Sequence, residues 1–478
     1  MVFDAEGTGL DIGFLCAGWK PDLGGVETHT AGLARELIAR GHRVHVLCMN
    51  GAEGLEPFST EDSVVGGVSV RRMAYRYHDH RALADLVESK RAEDVIHAWL
   101  AEVPCDLVHV HHATGFGLSA LRAISDVGRP SAMTLHDYWS LCPRGQMVRV
   151  DGEVCRTATP DRCAPCLAST WPHLMPSGAG ESRAPGGAAL DTDEEAADER
   201  TRFAIEMLQR VDRLFTPSAR ARSVFVRAGF DEAQIRVVEN GVDVRGLAEA
   251  TARFGAERSR DDRVRLGILG TVLPSKGVLE CARRALAAEV PELEIHVHGA
   301  LPSYHGDESY VNELQSLASS EDRLHVHGPF EHDDLPRILA GLDGVAAPSR
   351  WEEVYGLTVR EARAAGLPVL VSDVGDLAAV AHGGAAGWIV DAEDDAAWTR
   401  AITEFATDAE ARERRKSHAT EPRGDLELAL ELERAYLELV LEETGRIPEL
   451  RFAVDGLTRD PAPAREKKRG FFSRLFGR

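Results

Sequence analysis

Two glutamates, Glu353 and Glu361, are separated by seven residues in the stretch of this sequence whose side chains best suit chemistry. Within residues 345–375, an apolar run, a polar loop, a helical stretch and a second apolar run follow one another. This order predicts a βαβ unit, in which helix N-termini and the carboxyl ends of strands face a common ligand site. Carboxylates accept hydrogen bonds from sugar hydroxyls, and the exposed amides of residues 356–358 suit a phosphate.

Glu361 also has a purely structural interpretation. Thr358 precedes it by three residues, which is the spacing of a capping box at a helix N-terminus. Such a cap contributes about 0.5–2 kcal/mol to helix stability. The residues alone leave the binding role and the capping role open.

Two further stretches could hold an anion. Gly24 and Gly25 precede a predicted helix, where glycine lets the backbone come close to a ligand. Lys276 lies beside the start of another predicted helix, where an ammonium suits a phosphate. The ordinary alternatives are a simple turn for the glycines and a solvated surface position for the lysine. The glycine pair is not a GxGxxG fingerprint, and no GxxxxGK[ST] loop occurs in the sequence.

Histidines gather where two predicted strands end. Residues 106–111 and 131–136 are short apolar runs that end in His111 and His136, and His112 follows the first run. A histidine at a strand end is more often structural than catalytic. The carboxyl ends of parallel strands nevertheless face the ligand cleft, so these imidazoles are candidates for the site.

Residues 352–375, EEVYGLTVREARAAGLPVLVSDVG, resemble the E-x7-E region of the retaining glycosyltransferases of family 4, which have the GT-B fold. The resemblance covers most of residues 11–443 and implies an α/β protein with two Rossmann-like parallel-sheet domains facing a central cleft. It also implies retaining transfer from a UDP- or GDP-type nucleotide-diphosphate sugar, without a catalytic metal. The implied acceptor is a hydroxyl of a glycan, a lipid-linked molecule or a small molecule, in cell-envelope polysaccharide or glycoconjugate synthesis.

The resemblance assigns roles to individual residues of the second half. Glu353 would contact the donor sugar as a catalytic residue, and Glu361 would hold the nucleotide ribose. The donor phosphates would meet the backbone amides of Gly356, Leu357 and Thr358.

The same phosphates would meet Lys276 and, from across the cleft, Gly24 and Gly25. His136 would lie beside the donor sugar and the acceptor as the second catalytic residue, with His111 as the next candidate. Many family members carry arginine where this chain has Thr271. The diphosphate contacts would therefore rest on Lys276 and backbone amides.

Four cysteines lie close together in the first half of the chain: Cys142, Cys155, Cys163 and Cys166. Their spacing ends in CxxC and resembles a four-thiolate structural zinc site. Unligated thiols and a redox pair are the alternatives. A zinc ion at this site would brace the loop that follows His136.

The whole chain has 478 residues, so two large domains are expected. We place an acceptor-side domain at residues 1–245 and a donor domain at 246–420, with a linker near 244–262. We expect residues 421–446 to form a helix that crosses back to the first domain. Residues 447–478 are a tail that is basic at its end.

Residues 176–200 are Gly/Ala-rich and then acidic, which predicts a mobile surface loop inserted in the first domain. This insert contains the sequence Asp-Thr-Asp at residues 191–193. A DxD motif could bind a metal–diphosphate in a GT-A fold, but that role requires a strand end. The insert offers none, so we discount it.

The net charge of −22 argues against nucleic acid as a partner. No apolar run approaches the roughly 20 residues of a membrane helix, and no secretory signal is visible at the N-terminus. Together with the eight cysteines, these features favour a reducing cytoplasm, where thiols stay free or bind metal. The tail ends in REKKRGFFSRLFGR, which is typical either of a peripheral membrane contact or of a disordered segment.

Other classes of protein could share these motifs. A GT-B epimerase or phosphorylase is one alternative, although no pyridoxal phosphate motif is visible. A non-catalytic nucleotide-sugar-binding protein is another, and Thr271 favours it. Glu353, Glu361 and Lys276 together favour an enzyme.

Overall fold

The computed structural model describes residues 9–19, 24–51, 54–256, 261–418 and 422–446. Within them, one sheet has eight strands, in the order β3-β4-β2-β1-β5-β6-β7-β8, and only β3 runs antiparallel to its neighbour. Its strands are β1 (Asp11–Leu15), β2 (Arg43–Asn50), β3 (Thr60–Val65), β4 (Val68–Ala74), β5 (Leu107–Val110), β6 (Ser131–Thr134), β7 (Arg213–Thr216) and β8 (Ile235–Val237). The central strands β1, β5 and β6 are buried along their whole length, because helices cover both faces of a parallel sheet.

Helices alternate with these strands, as the βαβ pattern requires. They are α1 (Gly25–Ala39), α2 (Lys90–Glu102), α3 (Ser119–Asp126), α4 (Pro160–Thr170), α5 (Asp193–Leu208) and α6 (Ala219–Arg227). The hydroxyls of Ser89, Thr192 and Ser218 cap α2, α5 and α6 by accepting from a backbone N–H three residues later. These caps fix where each helix begins.

The second sheet of the described chain has six parallel strands in the order β11-β10-β9-β12-β13-β14. They are β9 (Val264–Leu269), β10 (Leu293–His298), β11 (Leu324–Gly328), β12 (Gly344–Ala347), β13 (Val369–Ser372) and β14 (Gly387–Val390). Its helices are α7 (Val244–Gly255), α8 (Val278–Ala287), α9 (Ser309–Ser320), α10 (Leu335–Ala340), α11 (Leu357–Ala364), α12 (Leu377–Val380), α13 (Asp395–Thr407) and α14 (Ala409–Ser417). Two Rossmann-like sheets are therefore present, which confirms the predicted α/β class.

The last described helix, α15 (Asp425–Thr444), follows the second sheet in the chain but packs on the first. Its buried face, which includes Leu432 and Val440, shares a core with Phe14 of β1 and Leu33 of α1. The Tyr436 hydroxyl also lies 2.6 Å from Nδ1 of His109 on β5. The chain therefore crosses between the two sheets twice.

Two expectations about the connecting segments were wrong. The segment expected to be a linker is largely the helix α7, which packs on α10 and α11 of the second sheet. The insert expected to be a mobile loop becomes helical at Asp193, because Thr192 and Glu195 form a capping box. Asp193 itself accepts hydrogen bonds from the backbone and hydroxyl of Ser177, so the discounted DxD motif has a structural role.

No helix in the described part of the chain is long and apolar enough to cross a membrane. The basic tail at residues 447–478, for which a membrane contact was an alternative, lies outside the described residues.

Candidate functional site

An ion pair lies at the carboxyl edge of the second sheet. Glu353 follows β12, Lys276 follows β9, and these two strands are neighbours. The Glu353 Oε1 atom accepts from Lys276 Nζ at 2.5 Å and from Ser349 Oγ at 2.6 Å. Glu353 is buried, whereas the Lys276 side chain is 30% exposed and its ammonium lies 5.2 Å from the centre of the Trp351 ring. The ammonium is thus paired and still open to an anion.

The two loops that carry this pair are fastened by their backbones. The Arg350 N–H donates to the Ser275 carbonyl at 2.8 Å. Gly277 has a φ of +65°, and a Cβ built there would lie 2.2 Å from the Pro348 carbonyl oxygen. Only glycine permits this approach, which brings Lys276 within reach of Glu353.

The helix α11 begins directly beyond Glu353. Gly356 is its N-cap, with a φ of +69°, and no side chain caps the first turn. A Cβ at Gly356 would lie 2.6 Å from Leu377 Cδ2. The amides of Leu357 and Thr358, at the positive end of the helix, therefore lack a side-chain cap and suit an anion.

Glu361 lies in the second turn of α11. Because the helix is capped by Gly356, the alternative capping box from Thr358 to Glu361 does not form. Burial, with a smaller effect of the Asp425 carboxylate, raises the pKa of Glu361 to about 7. His332 Nδ1 lies 3.9 Å from Glu361 Oε1. This carboxyl group is poised between its two protonation states near neutral pH.

Three imidazoles meet at the carboxyl edge of the first sheet. His111 and His136 follow the neighbouring strands β5 and β6, and His111 Nδ1 lies 3.3 Å from His136 Nε2. His29 on α1 completes the group, with its ring centre 4.8 Å from that of His136. Burial and the neighbouring imidazoles hold the pKa values of His111 and His136 well below the usual range. The group is therefore neutral at pH 7.

His29 was missed by sequence reasoning, because it lies inside a helix and belongs to no motif. Its position in the sequence was the one feature that could have identified it: His29 lies four residues after Gly25, one turn into the helix that follows β1. Burial lowers the pKa of His29 to about 3, and neither of its ring nitrogens has a hydrogen-bond partner. The Nε2 atom of His111 is also unpartnered. Buried polar atoms are usually paired, so these nitrogens retain unused hydrogen-bonding capacity.

Two further candidates of the first sheet, Gly24 and His112, contact carboxylates. Gly24 and Gly25 are exposed at the start of α1, but Glu27 accepts a hydrogen bond from the Gly24 N–H at 3.0 Å. His112 lies 3.2 Å from Asp137. Burial would lower the pKa of His112, but that carboxylate outweighs it and raises the value.

The prediction of a four-thiolate zinc site finds no support. Cys142, Cys155, Cys163 and Cys166 are all described, and none is in a disulfide. Among the described residues, no group with metal-ligand spacing includes any of these thiols. The physical reason is distance: Cys163 and Cys166 lie one turn apart on the helix α4, but no three of the described thiols come within ligand spacing of one another.

Arg200 braces the loop after His136. Its guanidinium is fully buried and donates to the carbonyl oxygens of Trp139 at 2.5 Å and Ser140 at 2.7 Å. It also lies 5.4 Å from the centre of the Trp139 ring. Burial lowers the pKa of Arg200 to about 10, which leaves it charged at neutral pH. The supposed mobile insert therefore supplies the side chain that fixes this loop.

The two halves of the site touch each other. The Tyr138 hydroxyl, two residues after His136, donates to the Glu352 carbonyl at 2.9 Å. Ser218 Oγ likewise donates to the Val354 carbonyl at 2.6 Å. The loops on either side of the cleft are thus joined next to Glu353.

Two family models match separate parts of this chain. Residues 253–421 match Glycosyl transferases group 1, and residues 23–159 match Glycosyltransferase Family 4. Curated relatives include D-inositol 3-phosphate glycosyltransferases of Salinispora arenicola and Mycobacterium tuberculosis. The first is 33% identical over 224 residues, covering 42% of this chain and 49% of the relative. The second is 32% identical over 204 residues, covering 41% of each. The chain thus matches these relatives over less than half of their length.

Solved structures share the fold over nearly the whole chain. Anabaena Alr3699/HepE in complex with UDP and glucose has a TM-score of 0.60 at 18% identity, covering 89% of this chain and 99% of that chain. Sucrose-phosphate synthase from Thermosynechococcus elongatus has a TM-score of 0.61 at 16% identity, covering 90% and 99%. The GT-B fold is thereby confirmed. With the two family matches, it supports a GT-B glycosyltransferase.

Proposed function

We propose that this GT-B chain is a retaining glycosyltransferase of family 4 that needs no catalytic metal. It would move a sugar from a nucleotide-diphosphate sugar to an acceptor hydroxyl. The proposal rests on one observation: the ion pair of Lys276 and Glu353 lies beside the open N-terminus of α11. This arrangement offers a cation and free amides for a diphosphate, and a carboxylate for a sugar, within one loop cluster.

Donor binding would exchange the partners of this ion pair. A diphosphate drawn to Lys276 and to the amides of Leu357 and Thr358 competes with Glu353 for the ammonium. The released carboxylate can then accept hydrogen bonds from the sugar hydroxyls. As the bond between the sugar and the diphosphate breaks, negative charge grows on the leaving group, and the same cation and amides stabilise it. Gly25 would add an amide from across the cleft.

His136 would position the sugar and the acceptor. Its imidazole is neutral, so it can donate or accept one hydrogen bond without adding charge next to the developing oxocarbenium ion. His111 Nδ1 lies 3.3 Å from His136 Nε2, and this contact limits the orientation of the His136 ring. Glu361 would bind the ribose, and closure of the cleft would exclude water as a competing acceptor.

The names of the relatives and structure neighbours support a donor and an acceptor class. Alr3699/HepE is a structure neighbour in complex with UDP-glucose, and the curated relatives are named for an inositol phosphate acceptor. We therefore propose a UDP- or GDP-type sugar as donor and a glycan, lipid-linked or small-molecule hydroxyl as acceptor, in cell-envelope polysaccharide or glycoconjugate synthesis. Residues 1–245 would bind the acceptor and residues 246–420 the donor.

The test begins with a thermal-shift screen of nucleoside diphosphates and their sugars, since a ligand of the native state raises its melting temperature. The best donor is then incubated with candidate acceptors, and nucleotide release and the anomeric configuration of the product are measured. We expect the wild-type chain to release the nucleotide and to form a product with the anomeric configuration of the donor. Glu353→Ala should neither release nucleotide nor form product. Binding without any release would favour the non-catalytic alternative, and an altered sugar without transfer would favour an epimerase. An inverted product would contradict the retaining mechanism.

A further inference from the structure

A second group of histidines lies outside the proposed site, on one face of β10 and β11. Alternate residues of a strand share a face, which places His296 and His298 of β10 together. His325 and His327 of β11 do the same on the neighbouring strand. The opposite face of β10 is buried core, whereas the histidine face is partly exposed, and His327 is exposed. These side chains are not needed to fill the interior.

A shift in strand register draws three of these imidazoles together. His296 pairs with His325, but after Val297 the register slips, so that His298 pairs with Gly328. His327 is thereby placed between His296 and His298. Its Nε2 atom lies 3.0 Å from His296 Nδ1, and its ring stacks on that of His298 with centres 4.1 Å apart. Irregularities of this kind often re-aim side chains at sites.

We propose that His296, His298 and His327 form a binding site for a divalent transition-metal ion such as Zn²⁺. Their ligand nitrogens all lie within 4.8 Å of one another. Imidazole nitrogen is a preferred ligand of zinc, copper and nickel, and three protein ligands leave a fourth position for water. The partial exposure of the group gives an ion a path from solvent.

One carboxylate and two guanidinium groups lie next to the histidines. The nearest carboxylate is Glu294, whose Oε2 lies 3.4 Å from His296 Nε2. Arg263 and Arg265 already pair with Glu294, at 3.5 and 3.1 Å, so it orients His296 and is not counted as a ligand. The net charge of −22 raises the concentration of cations near the protein surface. His325, whose ring lies 4.7 Å from that of His296, is available as an additional ligand.

The test is calorimetric titration of the EDTA-stripped full chain with ZnCl₂ at pH 7.5. We expect the wild-type chain to bind zinc. In His327→Asn and in His298→Asn, one bound ion should be lost or its affinity should fall at least about tenfold. His327 is exposed, so its replacement leaves the core intact. Thermal unfolding in EDTA checks that both variants fold like the parent.

Three control variants separate this site from other zinc ligands. His418→Asn removes an exposed histidine elsewhere, Cys163→Ser removes a thiol of the cysteine group, and His136→Asn removes one imidazole at the cleft. The affected ion should remain bound in all three. The proposal is overturned if the wild type binds no zinc, if both test variants bind like the wild type, or if the loss follows Cys163 or His136 instead.

Discussion

The two sheets present different chemistry to the cleft between them. From the second sheet come the ion pair of Lys276 and Glu353 and the open amides of α11. At the centre of the first sheet's edge, the described residues contribute the neutral imidazoles of His29, His111 and His136. The side formed by the second sheet can therefore bind a charged group, and the side formed by the first sheet can bind hydroxyl groups.

Burial explains the difference. A buried charge is costly unless it is paired, and the second sheet keeps its charges as a close pair fixed by backbone contacts. The imidazoles of His29, His111 and His136 are buried next to one another, and burial keeps them neutral instead. A reaction that expels an anion and attacks with a neutral hydroxyl needs this division. The comparison therefore predicts that changes on the second side have the larger effects.

The largest expected effect follows from removing the cation. Lys276→Ala should lower kcat/KM for transfer by about a thousandfold, because the leaving diphosphate loses the ammonium that stabilises its charge. Initial rates of nucleotide release measure the change. Lys416→Ala is the matched control, since Lys416 lies on α14 and pairs only locally with Glu413. A Lys276→Ala enzyme with full activity would contradict the assignment of charge stabilisation to the second sheet.

A smaller effect is expected on the neutral side. His136→Ala should lower kcat by about a hundredfold, with little change in donor affinity, because in the proposed reaction the imidazole positions the reacting groups and adds no charge. Donor affinity is measured by calorimetry and kcat by product formation. Equal losses in both parameters would mean that the first sheet also binds the donor phosphates, and the contrast between the two sides would disappear.

Much of the second side was visible in the sequence because its signals are local. Lys276 and Glu353 lie in short loops between a strand and a helix, and the structure brings them together as neighbouring strands require. The first side depends on contacts between distant segments. Neither His29, inside α1, nor Arg200, inside an acidic insert, belongs to a pattern that spacing alone can identify. The capping box at Thr192 and Glu195 was a local signal for the start of α5, but the composition of the insert led to the prediction of a mobile loop.

The cysteines show the opposite failure, a local pattern that misleads. Their CxxC spacing is typical of a metal knuckle, but Cys163 and Cys166 lie within α4. Spacing in the sequence does not reveal how far apart the thiols lie in the fold, and no three of the described thiols lie within ligand distance of one another. A hydrogen-bonded guanidinium from 60 residues farther along the chain braces the loop after His136.

That brace gives the third prediction, a test of how the neutral side is held. Arg200→Met should lower the free energy of unfolding by about 2 kcal/mol, because the carbonyls of Trp139 and Ser140 lose their buried donor. Chemical denaturation measures the change, and kcat should fall with it as His136 loses its fixed position. Arg202→Met is the control on the same helix, where the guanidinium pairs with Glu199 in the usual i,i+3 arrangement. Unchanged stability in Arg200→Met would show that packing alone holds this loop.

The smallest expected effect is a pH dependence that has opposite signs on the two sides of the cleft. Burial lowers the pKa of His29 to about 3, so its contribution to stability is complete above about pH 6.5 and is lost as the pH falls below that value. Burial raises the pKa of Glu361 to about 7 from the ordinary value of 4.5. Its contribution is complete below about pH 4.5 and is lost as the pH rises through 7.

Replacing Glu361 isolates its part of this dependence. Between pH 6 and pH 7 the folded chain retains a proton on Glu361 that the unfolded chain has lost, so unfolding releases a proton and wild-type stability falls with rising pH. Glu361→Gln cannot release it, and its stability relative to the wild type should rise by about 1 kcal/mol over that interval. Urea denaturation at both pH values measures the difference, and Glu410→Gln, on an exposed side chain, should show none. A difference that is flat with pH would mean that Glu361 is ionised in the folded chain. The second side of the cleft would then hold a buried charge outside the pair of Lys276 and Glu353, and the explanation of the difference between the two sides would fail there.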